Sequence, residues 1–471
     1  MVSQTFSWLI SILLARLLLP SDFGLVALAW VVVGFLDLIN ELGIGAALIQ
    51  KKDLAPEDTH TMFWLSSGAA IGFYGLTYAI APWIAMFFEK EALASLIRLL
   101  ALTVILGGLR TIPFNMLTKE LAFSKRSIAE FCSVVAGGGV SVTLALTGHG
   151  VWSLAYGTLT QQGLLTILVF TFTGWRPRGV FVGERAQGLL RFGTSIMSSR
   201  VLWYTYISSD AMIVGKLLGD KLLGYYSMAM QLSMLPMQKV TGIVNQVAFP
   251  VFSRLQDDRE SLKTYFLKIT RSVALLTFPT MMGLFLVSDS LIAMLLTDKW
   301  LPAVGIFKLL CVSGALKSID AIIPNLLMAK GKPDTVIRYN SICLLTLPPA
   351  FLVGSQFGLT GVGYAWIATY PFVSAYLYRT GLAEAGIGFR EYLGTLKPAV
   401  MASIMMAAGV MLFQTADLVW YGRNLYVTLI GASLVGAVVY LACIASFHKD
   451  ILDEVRDLFT SLRPRAQASR S

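Results

Sequence analysis

Fourteen long apolar runs constrain this chain more than any other feature. Each is close to the ~20 residues a helix needs to cross the hydrocarbon core of a bilayer. The first six fall at about 2–19, 24–49, 62–88, 93–117, 127–147 and 150–172. The next six fall at about 188–215, 222–250, 272–296, 301–328, 336–355 and 359–379, and a final pair at 396–414 and 425–446. The runs are too long for spanning strands and show no period-two alternation. The chain is 56% hydrophobic and 14% charged, where an average soluble domain carries ~25% charged residues. Exposed to water, so apolar a surface would aggregate. The expected fold is an all-α integral membrane protein of about 14 transmembrane helices.

The first run lacks a basic n-region and carries Arg16 where a cleavage site would fall, so it is expected to remain as the first helix. The basic residues set the orientation. With the N-terminus in the cytoplasm, the inner loops and tail hold 25 Lys and Arg and the outer connections five: Lys90, Lys216, Lys221, Lys299 and Arg423. That asymmetry follows the positive-inside rule, and an even number of spans places both termini in the cytoplasm. It also accounts for the net charge of +10 without a nucleic-acid partner, since no basic run is interleaved with aromatics. The four cysteines and three histidines are scattered, which gives neither a disulfide framework nor a metal-spaced set. No cofactor, metal site or catalytic residue is expected. No loop is long enough to form a catalytic domain, so the chemistry must take place within the bilayer.

The chain repeats itself. ARLLLPSDFGLVALA from Ala15 aligns with GKLLGDKLLGYYSMA from Gly215 at an offset of 200. Ile112-Pro113 with Ile323-Pro324, Lys119 with Lys330, and Gly150-Val151 with Gly361-Val362 align at 211. Both offsets lay runs one to six on runs seven to twelve. Parallel repeats of this kind place a substrate path between two halves. The expected organisation is an N-terminal lobe over 1–180, a C-terminal lobe over 181–385, and a final helix pair with a basic cytoplasmic tail over 386–471. The comparison leaves the first run about a dozen residues shorter than its counterpart, which points to a start further upstream.

An ionisable residue at mid-bilayer costs ~2.5–3.5 kcal/mol on insertion scales, so those present invite a role. They are Asp37 and Glu41 in run two, Arg98 and Arg110 in run four, and Arg200 and Asp210 in run seven. Lys239 lies in run eight, and Lys308, Lys317 and Asp320 in run ten, while Arg16 closes run one. Arg200, Lys239 and Lys317 lie nearest the middle. A wet cleft lined by them would attract an anionic head group, which low dielectric strengthens. Arginine adds a fork that fits phosphate. Blander readings stand beside this one. Lys317 and Asp320, three residues apart, can neutralise each other. Asp37 and Glu41, four apart, can form a proton or cation site or pair with a cation across the bundle. Arg16, Arg98 and Lys308 can snorkel to the outer interface. Prolines within the runs, and Gly137-Gly138-Gly139 interrupting run five, are weak signs of kinked helices.

Several strings resemble one family. LLARLLLPSDFGLVALAWVVVGFLDLINELGIGAALIQKKDLAPED (Leu13 to Asp58) looks like the opening of Wzx-type polysaccharide flippases. IPFNMLTKELAFSKRSIAE (Ile112 to Glu130), GHGVWSLAYG (Gly148 to Gly157) and the corner Trp175-Arg176-Pro177 are similar to it as well. So are SSDAMIVGKLLGDKLLGYYSMAMQLSMLP (Ser208 to Pro236) and VAFPVFSRLQDD (Val247 to Asp258). The resemblance is to the lipopolysaccharide and colanic-acid exporter branch of the multidrug/oligosaccharidyl-lipid/polysaccharide exporter superfamily. It spans about residues 10–380. It implies two six-helix lobes around a cationic cavity. It also implies movement of undecaprenyl-diphosphate-linked repeat units across the bacterial inner membrane by alternating access.

On that reading the substrate-binding candidates are Arg16, Arg110, Arg200, Lys239 and Lys317, and the ion-coupling candidates are Asp37, Glu41, Asp210 and Asp320. The partners are the lipid-linked oligosaccharide, membrane lipids and other polysaccharide assembly proteins. The rivals are an organic-cation antiporter, which would want an acidic cavity, a membrane enzyme acting on lipid-linked sugars, and a non-catalytic scaffold.

Overall fold

A computed structural model describes residues 2–40, 56–421 and 425–447 of the chain. Among these residues there are helices and no strands. The first helices are α1 (Val2–Leu17), α2 (Pro20–Asn40), α3 (Pro56–Phe88), α4 (Glu91–Leu100), α5 (Leu102–Lys119), α6 (Phe123–Leu146), α7 (Val151–Thr173) and α8 (Gly183–Leu217). They are followed by α9 (Asp220–Arg254), α10 (Arg259–Leu296), a 3-10 turn (Asp298–Ala303), α11 (Val304–Asp320) and α12 (Ile322–Ala329). The last are α13 (Pro333–Ser355), α14 (Gly358–Ala385), α15 (Phe389–Tyr421) and α16 (Leu425–Phe447). Eight segments of the described chain are long and apolar enough to cross a membrane: α2, α3, α4 with α5, α6, α10, α13, α15 and α16.

The helices extend beyond the apolar runs at their charged ends. Where hydropathy marks 62–88 and 272–296, α3 begins at Pro56 and α10 at Arg259. Hydropathy sees the part that sits in hydrocarbon, whereas helix continues wherever the backbone can keep its own hydrogen bonds. Asp258 starts α10 in this way, its side chain accepting a hydrogen bond from the Ser261 amide. At the other kind of end, Gly174 closes α7 in the left-handed conformation and returns its amide to the Phe170 carbonyl.

The glycine triplet does not interrupt its helix, contrary to the sequence expectation. α6 runs unbroken through it. A Cβ on Gly137 would lie 2.6 Å from the Gly157 carbonyl oxygen of α7, and one on Gly138 would lie 2.1 Å from Ile10 of α1. Gly137 and Gly138 serve close helix contact, a common device in membrane bundles, whereas a Cβ on Gly139 would meet nothing within 4 Å.

The described chain divides into two compact units, Met1–Met228 with Asn340–Val362, and Ala229–Tyr339 with Gly363–Ser471. In the first, α6 packs on α1 and α7, α5 lies between α3 and α7, and α2 lies on α4 and α8. In the second, α10 is the hub, touching α11, α15 and α16. The final helix pair is tied to it. Tyr440 donates to the Leu275 carbonyl at 2.6 Å and Gln414 to the Leu286 carbonyl at 3.0 Å. Val287, Val410, Leu429 and Ala432 form the apolar contact between them.

Candidate functional site

In the first unit the polar residues gather around α5. Arg110, half-buried, donates from Nη1 to Gln162 Oε1 of α7. It also feels the charge of Asp37 on α2. Gly107 lies one turn before Arg110, and a Cβ there would stand 3.2 Å from Asp37 Oδ1. The carbonyls of this glycine turn receive second hydrogen bonds. Asn40 reaches Val104 at 3.4 Å, Thr166 reaches Leu106 at 3.3 Å and Ser66 reaches Gly108 at 3.1 Å. Tyr204 of α8 completes the region, with its hydroxyl 3.0 and 3.2 Å from the Trp30 and Val31 carbonyls. Gly34 makes room for that ring, since a Cβ would come within 2.4 Å of the hydroxyl.

The second unit has a counterpart. Asp320, at the C-terminal end of α11, is only 4% exposed. It accepts hydrogen bonds from Ser374 Oγ at 2.6 Å and from Tyr378, both on α14. Lys317, one turn earlier, interacts electrostatically with it. Its ammonium also sits over the Trp366 ring, 3.1 Å from the centroid, with Tyr370 at 5.5 Å. A cation–π contact of this type contributes roughly 0.5–2 kcal/mol.

Asp210 is buried and accepts a 2.5 Å hydrogen bond from Tyr226, so it ties α8 to α9. Arg16 on α1, Arg200 on α8 and Lys239 on α9 are exposed. Glu41 lies outside the described residues. Arg98 lies over the Tyr78 ring at 4.1 Å, and Lys308 pairs with Asp289 at 2.7 Å. The structure therefore brings Asp37 within electrostatic reach of Arg110, and Lys317 within that of Asp320. Sequence reasoning missed Gln162, Tyr204, Trp366, Ser374 and Tyr378.

One end of the first unit forms a reciprocal crossing. A Cβ on Gly24 of α2 would meet the Asp220 carbonyl oxygen at 1.8 Å, and one on Gly224 of α9 would meet the Pro20 carbonyl oxygen at 1.8 Å. Gly24 and Gly224, like Pro20 and Asp220, are related by the repeat offset of 200. The contact is thus isologous within one chain, each segment using the same surface against the other. Two ion pairs flank it, Lys90–Asp220 and Lys216–Glu89, each at 2.7 Å. The hydrogen bond and charge of Lys216 hold the Glu89 carboxyl below its ordinary range.

Comparison with known proteins gives a consistent picture. The family described as "Polysaccharide biosynthesis protein" matches residues 13–305. The lipopolysaccharide biosynthesis protein WzxC of Escherichia coli (strain K12) is 28% identical over 81% of this chain and 79% of its own length. The teichuronic acid biosynthesis protein TuaB of Bacillus subtilis (strain 168) is 30% identical over 71% of this chain and 69% of its own. Among solved structures, the lipid II flippase MurJ in an inward closed conformation superposes with a TM-score of 0.77. It covers 96% of this chain and 99% of its own at 16% identity, which establishes a shared fold.

Proposed function

Since the chain belongs to the polysaccharide biosynthesis protein family, we propose that it is a flippase for lipid-linked oligosaccharides. It moves undecaprenyl-diphosphate-linked repeat units from the cytoplasmic to the outer leaflet of the bacterial inner membrane. The observation that carries this is the family match over residues 13–305 on a multi-pass helical chain. The fold likeness to a lipid II flippase supports it.

Fourteen spans form two lobes, 1–180 and 181–385, followed by the helix pair, with both termini cytoplasmic. The lobes alternate between inward and outward access. The barrier removed is desolvation of a charged head group, and no bond is made or broken. The exposed cations Arg16, Arg200 and Lys239 meet the diphosphate as it leaves water. Arg110, hydrogen-bonded to Gln162, and Lys317, over the Trp366 ring, add positive potential and position their helices. Asp37 and Asp320 are acids within electrostatic reach of a cation on a bundle helix, which suits coupling to an ion. On the positive-inside orientation, the crossing at Gly24 and Gly224 is the outer closure. Assembly proteins of the same polysaccharide are its expected partners.

The test is leaflet access. Purified protein in liposomes with a fluorescent polyprenyl-diphosphate oligosaccharide should expose head groups beyond the half already outside to an impermeant reagent. Arg200→Ala and Lys239→Ala should slow this at least ten-fold, and Lys221→Ala should leave it unchanged. Equal rates in all three would remove the cationic path from the account.

A further inference from the structure

The second unit contains a cavity of about 620 Å³ between α11, α14 and α15. Its walls are almost wholly apolar, with Leu316 and Ile319 from α11, Leu382 from α14, and Leu393 and Leu396 from α15. Along α14 the lining residues Pro371, Ala375, Arg379 and Ala383 recur every fourth position and are all exposed. The mouth is therefore a groove along one helix face. Phe389, 58% exposed, stands on its α15 side. At its floor lies the Asp320 carboxylate with its Ser374 and Tyr378 donors.

Water gains few hydrogen bonds in such a space, and an apolar cavity takes an apolar occupant. The groove carries one cation, Arg379 of α14, on the stripe that borders it, and the basic residues at the start of α15, Arg390 and Lys397, are also exposed. Apolar walls with a guanidinium at the edge match a hydrocarbon chain that ends in a phosphate, since arginine bonds two phosphate oxygens at once. The volume suits one acyl chain and is too small for a full undecaprenyl chain.

The geometry points to a binding site for an anionic phospholipid, with one acyl chain in the cavity and its phosphate on Arg379. The chain ends against the hydroxyls that hold Asp320. A resident lipid thereby excludes water from that carboxylate and makes the α11–α14 link dependent on the lipid composition of the membrane. This goes beyond the flippase reading, because a lipid that stays bound here is not the cargo.

The test is photolabelling of full-length protein in liposomes by phosphatidylglycerol with a diazirine at the end of one acyl chain. After proteolysis, mass spectrometry should place adducts on peptides covering 316–320, 371–383 and 389–396. Arg379→Ala should reduce those adducts at least five-fold, and a phosphatidylcholine of the same chain should label them at least five-fold less. Ala375→Trp, which fills the groove and leaves the cation, should abolish them. Melting curves of both variants check that they are folded. Adducts spread evenly over the lipid-facing helices would overturn the site. Stronger labelling of these peptides by a diazirine polyprenyl diphosphate would assign the cavity to the cargo instead and equally overturn it. None of these readings depends on flipping, so failure here is distinguishable from failure of the proposed function.

Discussion

Arg110 in the first unit and Asp320 in the second solve one problem with opposite charges. Each joins the fourth run of its half to the sixth through a polar contact, Arg110 with Gln162 and Asp320 with Ser374 and Tyr378. The repeat offset of 211 sets Arg110 against Ala321 and Gln162 against Val373, each one residue from the members of the second pair. The position of the link is shared and its sign is inverted. The partners differ accordingly. The guanidinium is met by an amide oxygen and the charge of Asp37, while the carboxylate is met by two hydroxyls and a lysine one turn away. A buried charge need not be a ligand site, because a fully hydrogen-bonded one also fixes helix positions. By contrast Arg200 and Lys239 are exposed.

The two links differ in what depends on them, and the largest effect is expected at Asp320. Asp320→Ala leaves two buried hydroxyls without their acceptor, at about 1–3 kcal/mol each. A clear fall in the melting temperature of purified protein and near-complete loss of flipping are expected. Asp320→Asn keeps an acceptor and removes the charge. If it retains both stability and flipping, the carboxylate is structural only, and its ion-coupling role is withdrawn.

Arg110→Ala should do less, since only one acceptor, on Gln162, is stranded at about 1–3 kcal/mol. A melting loss equal to that of Asp320→Ala would show that the two links are equivalent. Gly24→Ala and Gly224→Ala each force backbone apart at the crossing, and overpacking of this kind costs ~1–3 kcal/mol. Reciprocity predicts equal effects, read as labelling of an Arg200→Cys reporter by an impermeant maleimide. A large difference between them would break the symmetry.

The smallest effect is that of pH on Glu89. Its carboxyl is depressed in the folded protein by the hydrogen bond and charge of Lys216. A depressed carboxyl contributes fully above its ordinary value, ~4.3 for a glutamate, and its contribution fades as pH falls through the lower folded value. Labelling of the same reporter should therefore be flat from neutral pH down to about 5 and rise only in stronger acid. Glu89→Gln should abolish that rise.

Much of the fold was legible because hydropathy reports the cost of placing a side chain in lipid. It was silent on helix beyond the hydrocarbon, so the starts of α3 and α10 were missed. It also misread Gly137-Gly138-Gly139, where the reason for the first two glycines lies on α7 and α1 and not in their own helix. The candidate charges were legible for the same reason as the runs, as costly residues in apolar surroundings. Their neutral partners were not, because Gln162, Ser374 and Tyr378 carry no comparable penalty. The repeat held the missing signal, since it aligns Gln162 beside Ser374.

The most direct measurement sets two cargoes against each other in the same proteoliposomes. One is a polyprenyl-diphosphate oligosaccharide, followed by leaflet access, and the other is a fluorescent organic cation, followed by efflux. Rapid protein-dependent movement of the lipid-linked sugar is expected, lost in the Arg200→Ala/Lys239→Ala double variant, with no movement of the cation above protein-free liposomes. Efflux of the cation without movement of the lipid-linked sugar would contradict the flippase reading and make the chain an antiporter.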